Sequence, residues 1–201
     1  REILAQLGYA RLEEIIGLSD LLSVIDDDFA KKFDFSSVLM RLDGPNTHHG
    51  KPNEPFDKNT FEKAILKDIY KVIENPQEKV VVHKQIANTN RSFGTLISGE
   101  IAKFYGNKGL KDESISFRLH GVAGQSLGAF LIDGLSIYLK GTANDYVGKG
   151  MNGGKIVIAP QFQGRGYSCA GNTCLYGATG GKFYVAGNVG ERLCVRNSGA
   201  T

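Results

Sequence analysis

The sequence predicts a mainly β chain, a parallel β-helix built as a glycine-repeat solenoid, preceded by short helices and a long connector. Three observations carry this expectation. Of 26 glycines, 18 fall between Gly121 and Gly199. Four β-type runs lie just before or within that stretch, at 114–120 (SISFRLH), 135–140 (LSIYLK), 155–159 (KIVIA) and 182–186 (KFYVA). Gly121, Gly128 and Gly134 recur 20 residues later as Gly141, Gly148 and Gly154, and such a period is a solenoid signature. A coil of this kind buries its inward side chains only when another coil stacks on it, at ~4.8 Å between strands. Corners recurring in register bring backbones close and call for φ > 0, which glycine alone adopts freely. The next counterpart of Gly154 is Gly181, 27 positions on, as though a stretch such as QFQGRGY had been inserted. A sandwich or barrel of short strands joined by glycine turns accounts for the same pattern and stays open on the residues alone.

The elements ahead of the repeats follow from periodicity and stop signals. Ile3, Leu4 and Leu7 form one helical stripe ended by Gly8, and Leu12, Ile15 and Ile16 a second ended by Gly17. The segment 26–57 has weak periodicity and carries Pro45, Pro52 and Pro55, which predicts a long surface connector. Asn59-Thr60-Phe61-Glu62 resembles a capping box, Phe61, Ile65, Ile69, Val72 and Ile73 give one apolar face, and Asn75-Pro76 stops the helix. The run 79–86 (KVVVHKQI) predicts a strand, and 95–105 (TLISGEIAKFY) a helix closed by Gly106.

Bulk composition excludes several function classes. The 201 residues carry 24 basic and 21 acidic side chains, a formal charge of +3, too mild to predict nucleic acid or an anionic membrane as partner. The stretch from Lys155 to Thr201 has five basic residues and one acidic, a weakly basic C-terminal surface. Cys169, Cys174 and Cys194 form no C-x-x-C and leave an odd thiol, which predicts reduced thiols in a cytosol-like compartment. No apolar run approaches the ~20 residues of a membrane-spanning helix. The chain starts without Met and ends within a repeat, so it is expected to be a piece of something longer.

Candidate chemistry is sparse. GKGMNG, Gly148 to Gly153, matches the G-x-G-x-x-G of a dinucleotide loop, but such a loop must open a helix whose N-terminus meets the phosphates. Here a strand follows, and Lys149 precedes glycine rather than the Ser or Thr of a P-loop. His48 and His49 are adjacent and diverge in an extended chain, so a solvated loop is favoured over a metal site. His83 in a β run is expected to be structural, and His120 has no acid near it in sequence. Cys174 lacks any His or acid within ten residues to activate it and is expected to behave as a small hydrophobe. Asp145 and Tyr146 are the most site-like polar residues, with Asp145 expected to cap a coil by hydrogen bonding. No catalytic, cofactor-binding or metal-ligating residue is assigned.

Several stretches resemble the C-terminal part of the large subunit of glutamate synthase: REILAQLGYARLEEIIG, NTNRSFGTLISGEIAKFYGNKGL, GVAGQSLGAF, GTANDYVGKGMNGGKIVIAP and GNTCLYGATGGKFYVAGNVGERLCVRNSGA. The family more often has Asp where Asn90 stands, and 161–168 looks shorter than in many members. The resemblance implies a right-handed β-helix for the glycine repeats. It implies that 1–25 is the tail of a flavin-binding synthase domain, 26–90 a connector with one helix and one strand, and 91–201 the glycine-repeat domain. It further implies a parent enzyme that hydrolyses glutamine, channels ammonia and reduces the imine formed with 2-oxoglutarate, using FMN and an iron–sulfur cluster. Electrons come from ferredoxin or from NAD(P)H through a partner subunit, in the cytoplasm or the plastid stroma. No catalytic residue of that scheme maps onto this chain, which leaves a structural role beside the amidotransferase and flavin domains. A stand-alone glycine-repeat binding subunit of another oxidoreductase is the alternative.

Overall fold

A computed structural model describes residues 1–42, 44, 60–161 and 168–201, and the chain divides into two units, Arg1–Phe56 and Asp57–Thr201. In the first unit, α1 (Glu2–Gln6) ends with the Gly8 amide donating to Ala5 O, and Gly8 takes φ +81°. The second expected helix shrinks to one tight turn at Leu12–Glu14. Further turns at Ser19–Leu21 and Ala30–Lys32 precede α2 (Ser36–Leu39). Local polar contacts hold these turns: Asp27 Oδ1 accepts from the amides of Phe29 and Ala30, and Asp34 from that of Ser36. None of these helices and turns contains a buried residue. Pro45, Pro52, Pro55, His48, His49 and Asn59 lie outside the described residues.

The second unit begins with α3 (Thr60–Glu74), whose stripe of Ile65, Ile69, Val72 and Ile73 is buried as its spacing requires. It is followed by β1 (Val80–Ile86) and α4 (Thr95–Tyr105), which buries Ile97 and Ile101 and ends at Gly106. The remaining elements are β2 (Ile115–Ala123), β3 (Leu135–Ala143), β4 (Asn152–Ala159), β5 (Ser168–Ala170), β6 (Gly180–Val185) and β7 (Asn188–Val189). All pairings are parallel, in the order β1-β2-β3-β4-β6, with β5 on β3 and β7 on β5. Register aligns the apolar residues into columns, for example Val82, Phe117, Ile137, Ile156 and Phe183.

The expected right-handed parallel β-helix is overturned. The strands form one seven-stranded parallel sheet that does not close, with α4 lying between β1 and β2, so the architecture is α/β. Helices α3 and α4 are not a prelude to the repeats. They share one core with the sheet, bridged by the ring stack Phe61–Phe93–Phe117, with Phe93 edge-on to Phe117 at 5.1 Å. The physical reason is that glycine spacing specifies which residues pair across strands, whereas closure depends on what covers the inner face. Here the apolar stripes of two helices cover it.

The 20-residue spacing does set local register, since Gly121 pairs with Gly141. A Cβ at Gly141 would sit 1.8 Å from Gly121 O, and one at Gly121 would sit 2.2 Å from Ile86 O. Three layers therefore meet backbone to backbone. Gly99, inside α4, has open space where its Cβ would be. Gly141→Ala is expected to destabilise by about 3 kcal/mol or more, by overpacking against backbone. Gly99→Ala is expected to stabilise by about 0.5–1 kcal/mol through helix propensity. Urea midpoints of the two variants check both signs.

Candidate functional site

Alternation along β2, β3, β4 and β6 places Arg118, Tyr138, Val157 and Tyr184 side by side on the face opposite the apolar column. Four residues there form the most connected polar cluster among the described residues. Glu113, just before β2, accepts from Tyr138 Oη and from Lys155 Nζ at 2.9 Å, while Arg118 stacks on the Tyr138 ring with 3.6 Å to its centroid. Asp112 lies 4.0 Å from the same Lys155 ammonium. In register, Lys155 sits beside Ser136, whose hydroxyl is fully buried without a hydrogen-bond partner. The cluster thus ties together β2, β3 and β4.

Its protonation states are locked. The hydrogen bonds from Tyr138 and Lys155 hold the Glu113 carboxyl down at about 2, and the same contacts raise Tyr138 and Lys155 above their ordinary values. At neutral pH the group holds one carboxylate, one ammonium, one guanidinium and one phenol. A proton-transfer site needs a group poised near the working pH, and the shifts of Glu113, Tyr138 and Lys155 all run away from neutrality.

A second polar feature lies between the helices. Glu62 stands on the apolar stripe of α3 and is only 2% exposed. One carboxyl oxygen accepts from the Ile97 amide at 3.3 Å, at the start of α4, and the other has no partner. Burial pushes its pKa up to about 7, opposed by the amides of Ile97, Gly94 and Leu96. It borders a cavity of 220 Å³ shared with Thr60, Thr89, Asn90 and Arg91. Farther along the same helix pair, Tyr70 donates to Glu100, which also holds Lys103 at 2.7 Å.

The residues singled out by sequence are dispersed. GKGMNG leads into β4, not a helix, and its amides are engaged: Gly148 N donates to Leu127 O and Gly150 N to Tyr176 O, each at 2.8 Å. A Cβ at Gly148 would meet Leu175 and Met151 side chains at 2.9 Å, so that glycine makes room for the next layer rather than for a phosphate. Asp145 caps as expected, its Oδ1 accepting from the Asn172 amide at 2.7 Å. Tyr146 is partly exposed with Lys149 over its ring. Cys174 is buried, donates to Gly171 O, and has its thiol pushed up to about 11. Cys169 is buried with a raised thiol pKa, and Cys194 is exposed. His83 and His120 are exposed on β1 and β2. No group of three or more His, Cys, Asp or Glu suited to a metal occurs among the described residues.

Sequence reasoning missed Glu62, Glu113, Tyr138 and Lys155. Glu62 had a signal, since it falls on the helical stripe with Ile65, Leu66, Ile69 and Ile73. Glu113 had none, because only the turn before β2 brings it to Lys155, 42 positions away.

Residues 60–201 match the model of the family described as GXGXG motif. The chain belongs to that family. Three of the relatives it matches are glutamate synthases. A ferredoxin-dependent glutamate synthase 2 of Synechocystis is 44% identical over 98% of the chain. A glutamate synthase [NADPH] large chain of Bacillus subtilis is 38% identical over 99%, and a glutamate synthase [NADH] of Saccharomyces cerevisiae is 38% identical over 100%. The chain spans 13%, 14% and 10% of their respective lengths, and so matches a segment of glutamate synthases.

The two most strongly shifted carboxyls, Glu113 and Glu62, act on stability in opposite directions. Glu113 has a depressed folded pKa, so its contribution is complete above the unfolded value of 4.5 and is lost as pH falls toward about 2. Glu62 has a raised one, so stability falls as pH rises from 4.5 through about 7. The latter amounts to ~3 kcal/mol at most, at 1.36 kcal/mol per pKa unit. Urea midpoints are expected to peak at about pH 5, with Glu62→Gln flattening the upper arm and Glu113→Gln reducing the lower, to which Asp34 and Glu100 also contribute. An upper arm unchanged by Glu62→Gln would place that titration elsewhere. Iodoacetamide is expected to alkylate native Cys194, and to reach Cys169 and Cys174 only after unfolding.

Proposed function

We propose that the chain is a structural, non-catalytic segment of a glutamate synthase, holding the amidotransferase and synthase domains of its parent polypeptide in register. The observation that carries this reading is the match to glutamate synthases along 98% of the chain at 44% identity, within a relative of which it spans 13%. Two features of the molecule support a structural role. The polar cluster on the sheet locks its protons instead of exchanging them. The segment 1–42 carries Ile3, Leu22, Ile25, Phe29, Val38 and Leu42 exposed, an apolar surface of the kind that other polypeptide covers.

In this reading the parent converts L-glutamine and 2-oxoglutarate into two L-glutamate, with FMN and an iron–sulfur cluster held outside this segment. Residues 1–25 are the tail of the flavin-binding synthase domain. The relatives' names include ferredoxin, NADPH and NADH as donors, and the donor is selected outside this segment. A cytoplasmic or plastid-stroma location goes with the reading, and one relative, from Arabidopsis thaliana, is named chloroplastic.

The test uses the full polypeptide that carries this sequence. Tyr138→Phe, Asp145→Asn and Cys174→Ser are expected to keep turnover within about twofold, because none touches reacting atoms. Gly141→Ala is expected to uncouple the halves, with glutamine still hydrolysed while free ammonia accumulates and glutamate per glutamine drops from two toward one. Loss of turnover in a folded, fully coupled Tyr138→Phe or Asp145→Asn enzyme would refute the non-catalytic assignment.

A further inference from the structure

The outward face of the sheet is one-sided in charge. Its charged strand positions are Arg118 on β2, Lys140 on β3, Lys155 on β4 and Lys182 on β6, with His83 and His120 on β1 and β2. No Asp or Glu occupies an outward position on these strands. At the rim, Glu113 accepts from Tyr138 and Lys155 and lies within electrostatic reach of Arg118, and Asp112 stands 4.0 Å from Lys155. Arg118, Lys140 and Lys182 are exposed and form no ion pair among the described residues. Arg118 lies over the Tyr138 ring, 3.6 Å from its centroid.

An all-parallel sheet ordinarily has both faces covered. Here α3 and α4 cover one, and the other presents Tyr184 at 50% exposure, with Val157 and Ala159 partly open between the cations. We propose that this face docks an acidic polypeptide surface, supplied by protein outside this chain, whose carboxylates pair with Arg118, Lys140 and Lys182. Carboxylates suit it better than a phosphate backbone. Arginine meets a carboxylate edge-on through two N–H groups, and aromatic and aliphatic residues set among sparse cations match the mixed composition of a protein interface. The formal charge of +3 for the whole chain is also small for nucleic acid. The identity of the occupant rests on the reading that the chain is one segment of a longer glutamate synthase.

The test is carbodiimide coupling, which joins lysine to a carboxylate without a spacer, together with acetylation footprinting of the full polypeptide carrying this sequence. The Lys155–Glu113 link serves as the internal control, since that pair lies at 2.9 Å. The expected result is a link from Lys140 or Lys182 to an Asp or Glu outside this chain. Both lysines should acetylate about fivefold or more slowly than exposed Lys108, as for residues in an interface core. Lys140→Glu with Lys182→Glu should abolish those links and leave the control intact. Free acetylation of both lysines, links only to carboxylates of this same chain, or protection that disappears on nuclease treatment would each overturn the proposal. Glutamate formation by the same sample reports separately on the segment reading. An active enzyme without the links defeats the docking face alone, whereas links in a polypeptide that makes no glutamate defeat the segment reading alone.

Discussion

In the second unit, the stretches 124–134, 144–151, 171–179 and 190–201 each hydrogen-bond through their backbone to an earlier non-strand stretch. Gly128 N donates to Phe93 O, Gly148 N to Leu127 O, Leu175 N to Val147 O and Cys194 N to Cys174 O, all within 2.9 Å. The residues two positions to either side donate the other way: Tyr146 N to Asn172 O, Gly150 N to Tyr176 O, Thr173 N to Glu191 O. This two-way exchange requires alternate residues in the left-handed region, as at Tyr146, Gly148 and Gly150, or Thr173, Leu175 and Gly177. Buried peptide groups must find partners, and non-strand segments stacked this closely have only one another. Strand register, glycine spacing and the Asx corners all answer to that constraint.

The corners show how side chains reinforce the exchange. Asp133 accepts from the Gly154 amide, Asp145 from that of Asn172, and Asn172 in turn from that of Glu191. Each carboxylate or amide oxygen reaches one layer onward and satisfies a backbone donor that the bend would leave free. Asp133, Asp145 and Asn172 thus form a series, each fastening one bend to the next layer. The Glu113–Tyr138–Lys155 group does on the sheet face what the corners do at the bends, linking layers through charge-assisted hydrogen bonds.

A division of labour between the faces of the sheet follows. The inner face is apolar and closed by α3 and α4, with Glu62 as the one buried carboxyl among the described residues, beside the start of α4. A carboxyl held there with an unpartnered oxygen is a local departure from good packing, and its raised pKa records that departure. The outer face is polar and basic.

The sequence by itself determined the elements and their registration. The β-branched runs, the stop signals at Asn75-Pro76 and Gly106, and the glycine pairs 20 apart place α3, β1, α4 and the main strands within a few residues of where they lie. It overstated glycine, because Leu175 takes the left-handed position that Gly128 and Gly148 fill in other layers, held by its bond to Val147. It missed β5 and β7, which are too short to carry a periodicity. Only the tertiary structure decided that the sheet stays open and that α3 and α4 belong to its core. Only it brought Glu113 to Lys155 and Glu62 to the start of α4. Register is a local property, written in alternation and spacing. Closure and side-chain meetings across 35 or 42 positions depend on which surfaces bury one another, and no single stretch of chain encodes that.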